Sequence, residues 1–278
     1  MRIAAGQTVL LTGASGGLGT VLARAFAAQG LRQALVAHPG AELEPLARTL
    51  RQQGHDVEAF ISDLRVPEQR RQLVEDVRRR FGTVDILVNN AGVEFNSYFH
   101  ELSEERINDV LGVNLTAAMV LTRLVLPDML ARGQGHIVNM ASLAAKSGPA
   151  FQEPYAASKA GLIAFTMSLR ATYRGTGVSA SVIVPGFVEA GIYARLKVAA
   201  GRPAPRLLGA CAPERVVRAV FRAIQRDVPE VVVNRFPVRP LLLLTALSPA
   251  WGAWVSDKLG TNQFFRAAVL GQPTAPGL

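Results

Sequence analysis

The chain has 278 residues, 49% of them hydrophobic and 18% charged, with a formal charge of +9 at pH 7. That length and composition suit one large globular domain and exclude a disordered chain. The charge comes overwhelmingly from scattered arginines without an aromatic-lined basic stripe, which argues against nucleic-acid binding. It leaves anionic substrates, phosphates or a membrane surface as partners.

Cys211 is the single cysteine, and the four histidines (His38, His55, His100, His136) have no ligand spacing. Neither a disulfide framework nor a metal site is expected. The first strand begins almost at once, with no separate charged and apolar export regions before it. A cytoplasmic chain is the expectation.

Thr8–Thr12 reads as a short apolar strand running into Gly13-Ala-Ser-Gly-Gly-Leu-Gly19, with a helix expected over Val21–Gln29. Glycines at 13, 17 and 19 suit a tight strand-to-helix turn where backbone N–H groups can meet a pyrophosphate. Strand Gln33–Ala37, helix Glu42–Gln53 and strand Val57–Ile61 follow, then Asp63-Leu64. Pro67 opens a helix through Arg80, and Gly82 stops it. Val84–Val88 is a fourth strand leading into Asn89-Asn-Ala-Gly92. One long helix is expected from Ser103 to about Arg132, with Pro127 near its end.

His136–Ala141 reads as the fifth strand, Tyr155–Arg174 as a helix and Val178–Val184 as the sixth strand. Pro185-Gly186 and a less regular stretch to Cys211 come next. Pro213–Gln225 is a helix and Glu230–Val233 the last strand. Strands alternating with helices through short loops imply parallel βαβ units and a sheet covered on both faces. The expected division is a domain over 1–235 and a hydrophobic extension over 236–278.

Tyr155 and Lys159 lie four positions apart on a helix, which stacks them on one face. A fixed ammonium beside a phenol favours the phenolate and would bring its pKa, ordinarily near ~10, toward the working range. Ser142, at a strand end, could hold a substrate oxygen opposite that phenol. A Tyr-x-x-x-Lys pair alone is weak, since any helix can carry a core tyrosine and a solvated lysine.

The company of these residues makes the pattern specific. Thr12-Gly-Ala-Ser-Gly-Gly-Leu-Gly19, Asp63-Leu64, Asn89-Asn-Ala-Gly92, Asn114, Ser142, Tyr155-Ala-Ala-Ser-Lys159 and Pro185-Gly186 occur in register. Together they resemble the short-chain dehydrogenase/reductase family over roughly residues 7–235. The resemblance implies an α/β, Rossmann-type doubly wound parallel sheet. It implies that Gly13, Ser15, Gly17, Leu18 and Gly19 line the cofactor phosphates and adenosine. Asp63 and Leu64 would meet the adenine, and Asn90, Ala91 and Gly92 would flank the adenosine side. Tyr155 would be the general acid–base, and Lys159 would hold the nicotinamide ribose and depress the tyrosine pKa. Ser142 would bind the substrate oxygen, and Asn114 would hold a water in a proton relay through Lys159. Pro185, Gly186 and Val188 would border the nicotinamide.

Two departures stand out. Ala190 replaces a threonine that in many relatives anchors the carboxamide, leaving Glu189, a backbone group or water to substitute. The second strand ends Val36-Ala-His-Pro39 without a carboxylate. A carboxylate there usually grips the ribose 2′-hydroxyl. His38 therefore favours NADP over NAD as cofactor, with NAD the alternative.

The implied reaction interconverts an alcohol with its ketone or aldehyde; a non-catalytic dinucleotide sensor or scaffold is the competing reading. An apolar small-molecule substrate, lipid-, steroid-, retinoid- or acyl-like, is expected from Leu143, Pro149, Phe151, Phe95, Tyr98, Phe99, Phe187, Ile192, Tyr193 and Leu196, about half of which would serve equally well as core. The extension carries Leu241–Leu247, Pro249, Trp251 and Trp254. It is cut too short to span a bilayer. A helical pair packed over the cleft is expected, with cover on a partner or peripheral membrane contact through 239–270 as alternatives. The family resemblance also implies a homodimer or homotetramer built on the long helices.

Overall fold

The computed structural model describes residues 1–206 and 208–271. The first strand, β1 (Thr8–Thr12), is buried along its whole length. Val9 and Leu11 face one apolar layer and Leu10 the other, as the two-residue repeat of a strand requires. Helix α1 (Gly17–Ala27) follows, then β2 (Arg32–Ala37), α2 (Glu44–Gln52), β3 (Val57–Ile61), α3 (Pro67–Phe81) and β4 (Ile86–Asn89). α4 (Glu104–Leu111) and α5 (Ala117–Arg132) lead to β5 (Gly135–Met140), a short α6 (Ala144–Ser147) and α7 (Glu153–Thr172). The chain continues through β6 (Val178–Pro185), β7 (Phe187–Val188), α8 (Gly191–Ala199), β8 (Ala210–Cys211), α9 (Pro213–Arg226) and β9 (Glu230–Val233).

Seven strands form one sheet in the order β3-β2-β1-β4-β5-β6-β9, every pair parallel. Residues of α1, α2 and α9 pack on one face, and residues of α3 and α5 on the other. This is the expected Rossmann-type doubly wound sheet. Strand order reverses direction between β1 and β4, where such sheets open a crevice at their carboxyl ends. The turns after β1, β4, β5 and β6 carry Gly13, Asn90, Ser142 and Gly186, so the topology alone gathers these residues at one edge.

Four sequence expectations change. α1 begins at Gly17 rather than Val21, so the glycine motif forms the helix's first turn. Only glycine allows this: Gly13 has φ +66°, and a Cβ on Gly17 would lie 2.6 Å from the Gly191 nitrogen. The long helix expected over Ser103–Arg132 is interrupted by a π-helical turn at Gly112–Thr116, which contains Asn114. Such bulges recur at functional sites. This helix is also long and apolar enough to cross a bilayer. Its Leu121, Val125 and Met129 are buried against the sheet instead.

The third change lies between Pro185 and Cys211, expected to be less regular. There α8 forms, and β7 pairs with β8 in a two-stranded parallel ladder. Last, the extension holds three helices rather than a pair: α10 (Arg239–Leu247), α11 (Pro249–Lys258) and α12 (Thr261–Leu270). Phe264 and Phe265 of α12 bury against Tyr193 and Leu196 of α8. Residues 272–278 of the expected extension lie outside the described residues.

Candidate active site

The carboxyl ends of the strands open into a cleft of about 440 Å³. Gly13, Ser15, Gly17, Leu18, Gly19, His38, Asp63, Leu64, Asn90, Ala91, Gly92, Ser142, Tyr155, Lys159, Pro185, Gly186 and Val188 all line it. Of the expected site residues, only Asn114 stands behind its wall.

At the glycine end, the first turn of α1 has no side-chain cap, so its leading N–H groups are available to an anion. A Cβ on Gly13 would sit 2.8 Å from the Ala91 Cα, and one on Gly19 would collide with the Gly13 carbonyl. The cradle closes around the absence of side chains, and a dinucleotide pyrophosphate fits this donor set. Asn90 Nδ2 donates to the carbonyls of Thr12 (3.0 Å) and Gly13 (3.2 Å), which fixes the glycine turn to the end of β4.

At the β2 end, His38 Nε2 lies 3.3 Å from Arg65 Nη2, a residue missed in the sequence reading. Arg65 also pairs with Asp63 (2.8 Å) and Asp109 (3.1 Å). Its hydrogen bonds hold the Asp63 carboxyl down to about 2. A local signal existed, since Arg65 directly follows Asp63-Leu64. The clustering with His38 is tertiary.

At the other end, α7 starts two residues before Tyr155, with Pro154 in its first turn. Tyr155 and Lys159 are both buried, and Lys159 Nζ sits 5.7 Å from the phenol ring centroid. Lys159 Nζ donates to the Met140 carbonyl at the end of β5 (2.8 Å), holding the amine beneath the cleft.

The expected acidification of the phenol does not occur in this state. Burial pushes the Tyr155 phenol well above its ordinary value, Glu94 adds to that, and a hydrogen bond with Ser142 only partly opposes it. Burial also lowers Lys159 to about 8, with Glu94 pulling the other way. Desolvation penalises both charged forms, and burial dominates the shift of the phenol.

Glu94 is the second residue missed. It stands on the cleft wall just beyond Asn89-Asn-Ala-Gly92. Gln152 Nε2 donates to its Oε2 (3.0 Å) and Asn96 Nδ2 to its Oε1 (3.3 Å). Burial raises its carboxyl to about 7, against those hydrogen bonds and the charge of Arg195. No local pattern marks it, because its burial depends on the loop between β4 and α4 folding against the start of α7.

Asn114 spends its amide on structure. Its Oδ1 accepts from Val93 N (2.8 Å), and its Nδ2 donates to Val93 O (2.9 Å) and Ser158 Oγ (3.1 Å). It thereby clamps the loop after β4 onto α7, and it presents Oδ1 toward Gly92 from the same side as Lys159 Nζ. Glu189 pairs with Lys197 Nζ (2.9 Å), so of the groups considered to replace the missing threonine at 190, its carboxylate is already engaged.

The expected pocket wall divides. Leu143, Pro149, Phe187, Ile192, Tyr193 and Leu196 line the cleft. Phe95, Tyr98, Phe99 and Phe151 do not: Phe95 packs under Arg106, Tyr98 meets Phe151 edge-on, and Phe99 is exposed. Among the described residues no group of histidine, cysteine and carboxylate side chains could hold a metal ion.

Residues 7–199 match the short chain dehydrogenase family model. The chain belongs to the short chain dehydrogenase family. It is 42% identical over 239 residues to a ketoacyl reductase, HetN, of Nostoc sp., covering 86% of this chain and 82% of that relative. Among solved structures, a short chain dehydrogenase/reductase from Burkholderia phymatum in complex with NAD superposes with a TM-score of 0.76 at 27% identity, covering 89% of this chain and 94% of that one. A metagenomic short-chain oxidoreductase in complex with NADP superposes with a TM-score of 0.70 at 30% identity, covering 84% of this chain and 98% of that one.

Proposed function

We propose that this family member is an NAD(P)(H)-dependent oxidoreductase that interconverts a hydroxyl and a carbonyl on an apolar, acyl-like substrate, in the manner of a ketoacyl reductase. The observation that carries the reading is that Ser142, Tyr155 and Lys159 come together in the same cleft as the glycine cradle. When bound, the nicotinamide supplies the hydride. The protein supplies orientation and one proton. For reduction, the Tyr155 O–H donates its proton to the oxygen that gains charge as the carbonyl carbon accepts hydride. Burial keeps the phenol protonated but makes it a weak acid in this state, so the transfer relies on charge developing on the substrate oxygen beside it. Ser142 orients the same oxygen. Lys159, held by Met140, restores charge balance, and Asn114 holds the loop that shapes this wall. An Asn114-borne water linking Lys159 to solvent completes the relay in this reading.

Gly13, Ser15, Gly17, Leu18 and Gly19 would hold the pyrophosphate and adenosine, with Asp63, Leu64, Asn90, Ala91 and Gly92 beside them. Pro185, Gly186 and Val188 would border the nicotinamide. His38 on the cleft wall, at the end of a β2 that carries no carboxylate, supports NADP(H) over NAD(H); Arg65 beside it is engaged by Asp63 and Asp109. The apolar wall of Leu143, Phe187, Ile192 and Tyr193 supports a hydrocarbon chain leading away from the reacting carbon. A homodimer or homotetramer through α4–α5 and α7 belongs to the same reading.

The test follows reduced-cofactor absorbance with NADPH and NADH against 3-ketoacyl thioesters of increasing chain length. Turnover that prefers NADPH and improves with chain length is the expected result. Cofactor binding without turnover on any carbonyl or alcohol, unchanged by Tyr155→Phe, would instead identify a dinucleotide sensor.

A further inference from the structure

The α10–α11 hairpin has two apolar sides. Leu241, Leu242 and Thr245 of α10, with Val255 of α11, face inward and line the cleft. The other side has no cover: Phe236, Leu243, Leu244, Leu247, Trp251 and Trp254 are all exposed. Neither helix contains a buried residue. Leu243 and Leu247 sit four apart on α10, and Trp251 and Trp254 three apart on α11, so each pair forms a stripe on one helix face. Single exposed apolar side chains are ordinary, but five on one hairpin, with Phe236 just before it, mark an interaction surface.

The surrounding charge identifies the occupant. Residues 234–271 carry four cations (Arg235, Arg239, Lys258 and Arg266) and one acid, Asp257. The whole chain is far more even, at 30 basic to 21 acidic residues. Asp257 accepts a hydrogen bond from Asn262 Nδ2 (2.6 Å). Lys258 lies over the Trp254 ring at 5.9 Å and Arg235 over the Phe236 ring at 5.4 Å, which places cations at the rim of the apolar surface. Leucines flanked by tryptophans and a basic rim are the composition of a helix that rests in an anionic bilayer interface. A second copy of this chain would bring Arg235 and Lys258 again to the same face.

We propose that the outer face of the α10–α11 hairpin docks on an anionic lipid surface, its leucines and tryptophans entering the headgroup–acyl boundary and its cations meeting lipid phosphates. The reading needs no transmembrane segment. It holds whether or not the cleft turns over ketoacyl substrates.

The two tryptophans of the chain, Trp251 and Trp254, are both on this face, so intrinsic tryptophan emission reports on it alone. Full-length protein is titrated with vesicles of mixed phosphatidylglycerol and phosphatidylcholine, then with pure phosphatidylcholine, and vesicle binding is followed by co-sedimentation. The expected result is a blue shift and sedimentation with the anionic vesicles, weakened by salt. The variant L243Q/L247Q keeps both reporters and all cleft-lining residues, and it should partition about tenfold less or weaker still. Circular dichroism checks its fold, and L247Q alone serves if the double variant does not fold. No emission shift with anionic vesicles would overturn the proposal, as would an equal shift in the variant. So would light scattering that shows a dimer which the same substitutions dissociate, without vesicle binding; the occupant would then be a second copy.

Discussion

The sheet core and the α10–α11 hairpin have similarly apolar sequences and opposite fates. Leu10, Leu87 and Leu121 have no exposed surface, because each meets side chains from strands or helices on every side. Leu243 and Leu247 of the hairpin are 63% and 76% exposed. Apolar residues become core only where the topology supplies a second layer, and the hairpin sits outside the last one. Its inner stripe borrows the cleft as a partner, and its outer stripe meets none within the chain.

The largest expected effect separates chemistry from scaffold. Tyr155→Phe removes the proton donor but keeps the ring, so turnover should fall by about 10²–10⁴-fold with cofactor binding retained. Parallel fluorescence titrations and rate measurements would show this. A loss of cofactor affinity instead would mean that the phenol acts in binding.

The comparison itself is tested by paired truncations. Leu121→Ala opens a cavity beneath the sheet and should cost about 2–5 kcal/mol in denaturant unfolding. Leu247→Ala should change stability by no more than about 0.5 kcal/mol. Equal costs would mean that the outer face of the hairpin is covered in solution.

Acid should act on the core before it acts on the hairpin. His136, in β5, is buried beside Ser181 (2.9 Å), and burial lowers its pKa from 6.5 to about 4. Its folded value is depressed, so the unfolded chain binds the proton first as pH falls. The stability held above pH 6.5 is therefore lost between about pH 6.5 and 4, on the order of 3 kcal/mol. Melting temperatures across that range would show it, and His136→Gln should flatten that part of the curve.

A smaller effect concerns the cleft wall. With its carboxyl near 7, Glu94 should place a limb near that pH in the kcat/KM profile. Glu94→Gln should remove this limb. It should also move the alkaline limb to lower pH, because the Tyr155 phenol loses a negative neighbour that raises it. A profile unchanged by the substitution would leave Glu94 as loop scaffolding.

Much of this was legible from local pattern. Period-two burial in β1, Pro67 and Gly82 bounding α3, and the glycines at 13, 17 and 19 each follow from the covalent preferences of a few adjacent residues. The placement of Tyr155 and Lys159 one turn apart followed equally directly. Those features determined an α/β sheet, a phosphate-compatible turn and a phenol–amine pair on one helix.

Other properties were through-space quantities and needed the tertiary structure. The direction of the Tyr155 shift depends on how much water the folded cleft excludes. Asn114 became a clamp because a π turn aims it at Val93 and Ser158, and Glu94 entered the wall only when its loop met α7. In the extension, the helical spacing defined apolar stripes. Which stripe met the cleft and which faced outward was decided by how α10 and α11 pack beside α6 and α12. Local preferences act over one or two turns of chain, whereas desolvation and contact depend on everything that packs within a few ångströms, wherever it lies in the sequence.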